Sequence, residues 1–228
     1  MKITLNTPLA FYPLREGEPY VDNDPSNLLD GTITLANEIR KIFLVSDNVA
    51  FNRLYAFAGQ QYINEKMWDL GLCSTRIRHR LSVPMSQEEN GYCEPIEISV
   101  PGCPVTLAPK HNTELIQCFE GDCKPLSLGV KHVLENGELV LNPMDFTMKN
   151  CISLMDLQNL MVKLFCPDVE QSGEPCKMPY SYQMLLQEAM ADYPSESSNP
   201  VYHKEEFPDD YCKVCLTSVL FVSSLSVV

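Results

Sequence analysis

The chain has 228 residues, of which 45% are hydrophobic and 21% charged, a composition typical of a globular protein and not of a disordered or collagen-like one. There are 17 Lys and Arg residues against 30 Asp and Glu residues, and the formal net charge is −13. A field of that sign repels phosphate groups, so we expect neither nucleic acid nor an anionic membrane surface as a partner. The longest uncharged apolar run, residues 215–228, is shorter than the roughly 18 residues of a membrane span, and residues 1–8 do not resemble a signal peptide.

Residues 1–30 are predicted to form an irregular N-terminal segment. Prolines recur at positions 8, 13, 19 and 25, and this pattern interrupts both helix and strand. Two short apolar stretches, residues 9–14 and 20–21, are the parts of the segment that can pack against other elements.

Three helices are predicted next. The first is capped by Asp30 or Thr32 and ends at residue 46. Its apolar stripe consists of Leu35, Ile39 and Ile42. Its charged residues are predicted to fall largely on the other side, namely Glu38, Arg40 and Lys41.

The second helix, residues 49–58, is apolar almost all round, with only Asn52 and Arg53 strongly polar, and it stops at Gly59. A helix of this kind lies inside a protein. The third helix is predicted over residues 62–70. The short connections predict a compact helical cluster around the middle helix.

Extended segments follow the helical cluster. Residues 75–81 and 96–100 have a β-like or extended pattern. The Asn-Gly pair at 136–137 supplies the positive φ angles of a tight turn, so it predicts a hairpin over residues 130–141.

Two further helices are predicted near the C-terminus. The first is capped by Ser153 and stopped by Pro167. Its apolar residues are predicted to face inward, namely Leu154, Leu157, Leu160, Met161 and Leu164. The second covers residues 182–191, and residues 211–228 form an apolar tail.

The tripeptide Ser46-Asp47-Asn48 stands at the start of the apolar second helix. The free N–H groups and the positive dipole end of that helix face the space before it. A hydroxyl and a carboxamide held there suit proton relay and the binding of an amide substrate. Ser, Asp and Asn are also the residues that any helix N-terminus prefers, so simple capping is the competing interpretation.

Residues 35–59, with this tripeptide between two helices, resemble the S-D-N element of class A β-lactamases and penicillin-binding-protein-like serine hydrolases. The resemblance continues through residues 76–82 and 142–146, and we extend it over residues 20 to about 210. It implies an α+β fold, in which a helical subdomain with the S-D-N loop lies beside part of an antiparallel sheet. It also implies that residues 31–210 form a partial catalytic domain.

The resemblance implies a role for each residue of the tripeptide. Ser46 would carry a proton between the nucleophile and the leaving nitrogen, and Asn48 would bind the amide of the substrate. Asp47 would fix the loop. Glu88 and Glu89 are the candidates by position for the acid or base that hydrolyses the acyl-enzyme.

Two elements of the family pattern are missing. The 45 residues before Ser46 contain no Ser-x-x-Lys nucleophile motif, and no Lys-[Ser/Thr]-Gly strand occurs late in the chain. We therefore expect a serine hydrolase domain whose substrate is a β-lactam, a related amide or a peptide. We expect this domain to be inactive as the present chain, unless the nucleophile is supplied upstream. The alternative is a non-catalytic interaction or scaffold protein of the same fold. Relatives of this kind are usually secreted or periplasmic, and the sequence leaves the compartment open.

Ten cysteines leave the redox state open and give only weak metal patterns. The closest pairs are Cys212 with Cys215 and Cys118 with Cys123, which have His203 and His111 in their sequence neighbourhood. A structural zinc site needs four converging ligands, so we predict no metal and no cofactor, with a metal-binding module as a third alternative. The alternating arginines could bind an anion, but pairing with acidic residues is the favoured interpretation; they are Arg76, Arg78 and Arg80.

Overall fold

The computed structural model describes residues 3–100, 102, 104–114, 116, 127–134, 136–166, 169 and 172–211. Within these ranges the chain is a mixed α/β structure. The helices are α1 (Leu35–Val45), α2 (Asn48–Ala58), α3 (Gln60–Asp69), α4 (Gln87–Gly91), α5 (Leu154–Phe165) and α6 (Tyr180–Ala191). The strands of the N-terminal half are β1 (Pro8–Phe11), β2 (Ile33–Thr34), β3 (Tyr92–Cys93), β4 (Ile96–Ile98), β5 (Val105–Leu107) and β6 (Lys110–His111). Those of the C-terminal half are β7 (Ser127–Leu128), β8 (His132–Val133), β9 (Leu139–Val140) and β10 (Met144–Asp145).

The main sheet has four antiparallel strands in the order β2-β1-β4-β5. Leu9 of β1 pairs with Ile33 on one side and with Ile98 on the other, and all three side chains are buried. The irregular structure predicted for residues 1–30 is therefore wrong at Pro8–Phe11, which form an interior strand. The apolar stretches within that segment pack as predicted, since Phe11 also forms a bridge with Val21.

The three predicted helices of the N-terminal half are confirmed within a few residues at each end. Thr34, and not the predicted Asp30 or Thr32, caps α1 by accepting a hydrogen bond from the backbone N–H of Asn37. Gly59 ends α2 as predicted, with a φ of 89°. Tyr55 and Ala56 of α2 are fully buried against the main sheet, whereas Val49 is exposed. The middle helix is therefore buried along one side and not all round.

Two of the three charged side chains on the side of α1 opposite the predicted apolar stripe are buried, which that stripe does not predict. Glu38 is 0% exposed and Lys41 is 6% exposed, because α6 and α2 both pack against this helix. The predicted apolar stripe is only half-buried. Charged side chains can occupy such positions only when they are paired with one another, as described below.

The C-terminal half confirms the hairpin and both helices. Strands β8 and β9 pair around Gly137, which has a φ of 84°, and Ser153 caps α5 by accepting from the backbone N–H of Asp156. The inward orientation predicted for Leu154 is wrong, since its side chain is 85% exposed in the first turn of α5. The tail at 212–228 lies outside the described residues.

The observed mixture of helices and small antiparallel sheets is compatible with a β-lactamase-like fold, which confirms the predicted fold class at that coarse level. None of the helices in the described ranges is long and apolar enough to cross a membrane.

Candidate functional site

Ser46 and Asp47 form the link between α1 and α2. Ser46 closes α1 in a left-handed conformation with a φ of 56°, and its backbone N–H donates to the carbonyl oxygen of Ile42 at 2.9 Å. Its side chain is exposed. Asp47 caps α2, because its Oδ1 accepts from the backbone N–H of Ala50 at 2.9 Å. The tripeptide therefore ends one helix and starts the next.

Two asparagines on one face of α2 hold the segment at residues 81–82. Asn48 Nδ2 donates to Ser82 Oγ at 2.8 Å. Four residues later, Asn52 Nδ2 donates to the carbonyl oxygen of Leu81 at 2.9 Å, and its Oδ1 accepts from the Leu81 N–H at 2.8 Å. Residues four apart lie on the same side of a helix, so both carboxamides reach the same extended segment.

A groove of about 620 Å³ lies along this segment. Its walls come from residues 78–90 and from the loop that contains Met148 and Lys149. Ser82 lines the groove, and Asn48 lies next to it through the hydrogen bond to Ser82 Oγ. A second cavity of about 380 Å³ shares Arg78, Gln87 and Met148 with the first and extends to residues 111–114. The start of α2 is therefore adjacent to a solvent-filled space large enough for a small molecule.

Two of the three arginines predicted to alternate in this segment, Arg78 and Arg80, line the groove. All three are buried, and Arg80 NH2 donates to Glu94 Oε2 at 3.0 Å, as the favoured interpretation predicts. Arg78 donates to the backbone carbonyl oxygens of Ile116 and Thr147. Arg76 also donates to backbone carbonyl oxygens. Arg78 and Arg80 thus connect residues 78–80 to the neighbouring segments at residues 92–94, 116 and 147.

A buried ion cluster lies behind the tripeptide. Lys41 Nζ is 2.7 Å from Asp24 Oδ2, 3.5 Å from Glu38 Oε1 and 3.6 Å from Asp47 Oδ2. Arg53 contributes a second cation, 3.0 Å from Asp24 and 3.3 Å from Glu38. We name these five residues the ion cluster. Lys41 connects it directly to the residue that caps α2.

Glu38 and Asp24 of the ion cluster have opposite pKa shifts. Burial raises the pKa of Glu38, and the neighbouring Arg53 and Lys41 only partly oppose that effect. For Asp24, burial also acts to raise the pKa, but hydrogen bonds from Lys41 and Ser26 outweigh it and hold the pKa well below its usual range. Burial and then the carboxylates of the cluster raise the pKa of Tyr202. The cluster is thus held together by charge pairing in a region with little water.

Glu88 and Glu89 occupy different positions around α4. Glu88 is exposed and lines the second cavity. Glu89 forms a capping box with Ser86 and an ion pair of 3.1 Å with Arg15. Hydrogen bonds from Ser86, and then from Arg15, lower the pKa of Glu89. A lowered pKa makes a carboxylate a weaker base, and the acid or base role of either residue stays a prediction.

The described residues contain no group of three or more His, Cys, Asp or Glu side chains that could hold a metal ion. The Cys118–Cys123 and Cys212–Cys215 pairs lie outside the described residues. Five cysteines in the described part of the chain are free thiols, namely Cys73, Cys93, Cys151, Cys166 and Cys176.

Sequence reasoning found Asn48 but missed three groups that shape the groove. Asn52 was visible as a polar residue four positions after Asn48 in an apolar helix, and that spacing was the available signal. Ser82 and Asn90 carry no comparable pattern in the sequence. Asn90 joins the site because its Oδ1 accepts from the backbone N–H of Arg80 at 2.8 Å.

The model of the Beta-lactamase enzyme family matches residues 19–112, which is less than half of the chain. No curated protein and no solved structure matches the chain. The matched segment includes the ion cluster, helices α1 to α4 and the groove wall from residue 78 to residue 90. Residues 19–112 are therefore similar to the β-lactamase enzyme family, which confirms the predicted family resemblance over that part of the range of residues 20 to about 210. The assignment of residues 46–48 as an S-D-N element and the extension of the resemblance beyond residue 112 stay predictions.

Proposed function

We propose that the chain forms the S-D-N side of a β-lactamase-like serine hydrolase site that binds a β-lactam, a related amide or a peptide. One observation carries the proposal. The Asn48 carboxamide, in the segment that matches the family, reaches Ser82 on the wall of the 620 Å³ groove. A polar group held at the edge of a cleft is what substrate binding requires.

The hydrogen bonding of Asn48 supports a role in amide binding. Its Nδ2 group donates to Ser82 Oγ, so the carboxamide oxygen is oriented by that bond and can accept from the N–H of a substrate amide. Asp47 is engaged as the cap of α2 and acts as a structural residue. Ser46 would carry a proton with its exposed hydroxyl, as the resemblance implies.

The first step of acyl transfer has no nucleophile among these residues. The 228 residues contain neither a Ser-x-x-Lys sequence nor a Lys-[Ser/Thr]-Gly sequence. A serine without an adjacent base is a weak nucleophile. We therefore propose that these residues bind the amide but do not form an acyl-enzyme by themselves.

Incubation of the purified 228-residue chain with a fluorescent penicillin is expected to give no covalent adduct. Intact-mass spectrometry is the measurement, and an active penicillin-binding protein labelled in parallel shows that the reagent is competent. A mass increase equal to one penicillin on the chain would show that a nucleophile is present and that the proposed division of roles is wrong.

Replacement of Asn48 by Ala is expected to weaken non-covalent binding of benzylpenicillin by about tenfold, because loss of one well-placed hydrogen bond costs roughly 1 kcal/mol or somewhat more. Titration followed by protein NMR shifts measures the change. Asn142→Ala is the matched control, since Asn142 is exposed and does not line the groove. Equal affinities for the two variants, or no binding by the unsubstituted chain, would contradict the proposal.

A non-catalytic scaffold protein is the second candidate, and one observation favours it. Ser46 and Asp47 are both accounted for as helix-end residues, one by its left-handed backbone and one by its hydrogen bond to Ala50. Residues with those roles need no substrate to explain them. Absence of benzylpenicillin binding would support this candidate over the hydrolase.

A further inference from the structure

Ser82 has an unusual backbone conformation. Ser46 and Ser82 are the non-glycine residues with positive φ in the described part of the chain, at 56° and 55°. Left-handed backbone is unfavourable for residues with a Cβ atom, and it persists where the surroundings enforce it, often at functional sites. One of the two serines opens the tripeptide, and the other receives the hydrogen bond of its asparagine.

Two carboxamides hold the backbone of the residues just before Ser82. Asn52 forms two hydrogen bonds with the backbone of Leu81, and Asn90 accepts from the N–H of Arg80. The guanidinium of Arg80 in turn lies over the ring of Tyr55, with its carbon 5.0 Å from the ring centre. The residues before Ser82 are therefore fixed on several sides, and the Ser82 side chain projects from a rigid segment.

The hydroxyl of Ser82 has one side free for a ligand. Its oxygen accepts from Asn48 Nδ2 at 2.8 Å, and the hydroxyl donates no hydrogen bond to another of the described residues. The side chain is exposed and lines the 620 Å³ groove. A hydroxyl that accepts one hydrogen bond becomes a better donor for the next, so the Ser82 O–H is suited to donate into the groove.

Among the described residues, no basic side chain is hydrogen-bonded to the Ser82 hydroxyl. The nearest histidine in sequence is His79, and both of its ring nitrogens are engaged. Nδ1 contacts the carbonyl oxygen of Arg80 at 2.7 Å, and Nε2 accepts from the backbone N–H of Asn150 at 3.3 Å. His79 therefore does not activate Ser82, and the hydrogen bonding around Ser82 suits binding of a ligand.

We propose that Ser82 is a substrate-binding residue of the groove, whose hydroxyl donates a hydrogen bond to the carbonyl oxygen of the bound amide while Asn48 holds the hydroxyl in place. This inference rests on the proposed function and adds a second polar contact on the ligand. Asn48 and Ser82 then act together on the ligand. The Asn48 carboxamide oxygen accepts a hydrogen bond from the ligand N–H, and the Ser82 hydroxyl donates one to the ligand carbonyl oxygen.

The test compares Ser82→Ala and Ser82→Gly by titration with benzylpenicillin. Both variants are expected to bind about tenfold more weakly than the unsubstituted chain, because each lacks the hydroxyl. Because the two residues are in contact, Asn48→Ala combined with Ser82→Ala is expected to weaken binding by less than the product of the two single effects. Ser181→Ala is the control, since Ser181 is exposed in the first turn of α6 and does not line the groove.

Ser82→Gly separates binding from folding. Glycine adopts positive φ without steric cost, so this variant is expected to have a urea midpoint at or above that of Ser82→Ala. If Ser82→Gly has such a urea midpoint and still binds benzylpenicillin more weakly than the unsubstituted chain, the missing hydroxyl is the cause. Unchanged affinity in both Ser82 variants, with weaker binding by Asn48→Ala, would overturn this inference and leave the proposed function intact. No binding by the unsubstituted chain would overturn both.

Discussion

Replacement of Lys41 by Met is expected to lower the free energy of unfolding by about 3–5 kcal/mol, because removal of one partner leaves buried carboxylates without their compensating charge. Lys41 is the cation that contacts three members of the ion cluster, and its side chain is only 7% exposed. In the variant, Arg53 alone faces Asp24 and Glu38. Urea denaturation followed by circular dichroism measures the loss.

Lys66→Met is the matched control for that experiment. Lys66 also forms a 2.7 Å ion pair, with Asp69, but the two side chains are 51% and 45% exposed. Exposed pairs of this kind contribute about 0–1 kcal/mol, so the control is expected to stay close to the unsubstituted chain. If the two variants lose equal amounts of stability, the cluster does not have the energetic role that its burial implies.

The loss in Lys41→Met is also expected to depend on pH. The pKa of Glu38 in the folded protein is raised above its ordinary 4.5, so its ionised form opposes folding at neutral pH, and that cost disappears as the pH falls. Asp24 has a lowered pKa, so it contributes stability that is lost on acidification. Removing Lys41 raises both pKa values, because Lys41 lowers each of them. The difference between variant and unsubstituted chain should therefore shrink between about pH 7 and about pH 4.5, and a constant difference would contradict this account.

The helices of the N-terminal half could be predicted because residues close to each helix end in the sequence determine its boundaries. Asp47 and Gly59 are a cap and a stop that lie next to the helix they delimit. The burial of Glu38 and Lys41 could not be predicted in the same way. Apolar periodicity assigns charges to the solvent side, and the partners that reverse this assignment are Asp24 and Arg53, which lie outside the helix.

The candidate site also contains residues that a local motif predicts and residues that only the fold brings together. Asn48 was predicted because its motif is contiguous, whereas its hydrogen-bond partner Ser82 is 34 residues away. No local pattern marks a serine whose left-handed backbone is enforced by asparagines on α2 and α4. The residues that shape a groove come from separate elements, so the motif indicates where a site begins and the fold supplies its walls.

The conformation of strand β1 depends on its pairing with strands that are distant in sequence. Pro8 and the neighbouring prolines favour irregular structure locally, yet β1 is hydrogen-bonded to β2 and β4, whose residues follow it by more than twenty positions. A proline at the first position of a strand does not prevent pairing of the residues after it. The partners of this strand, and not its own sequence, explain its conformation.

Replacement of Leu9 by Ala is expected to lower the free energy of unfolding by about 2–5 kcal/mol, the range found when a buried leucine is truncated and leaves a cavity. Leu9 is 2% exposed and lies between Ile33 and Ile98 in the main sheet. Leu29→Ala is the control, since Leu29 belongs to the same N-terminal segment but is 80% exposed, and it is expected to change the value by less than about 0.5 kcal/mol. Chemical denaturation of both variants decides between two descriptions of residues 1–30. A large loss in Leu9→Ala alone means that β1 is an integral part of the core on which α2 and the groove are built, and equal small losses would mean that the segment is dispensable.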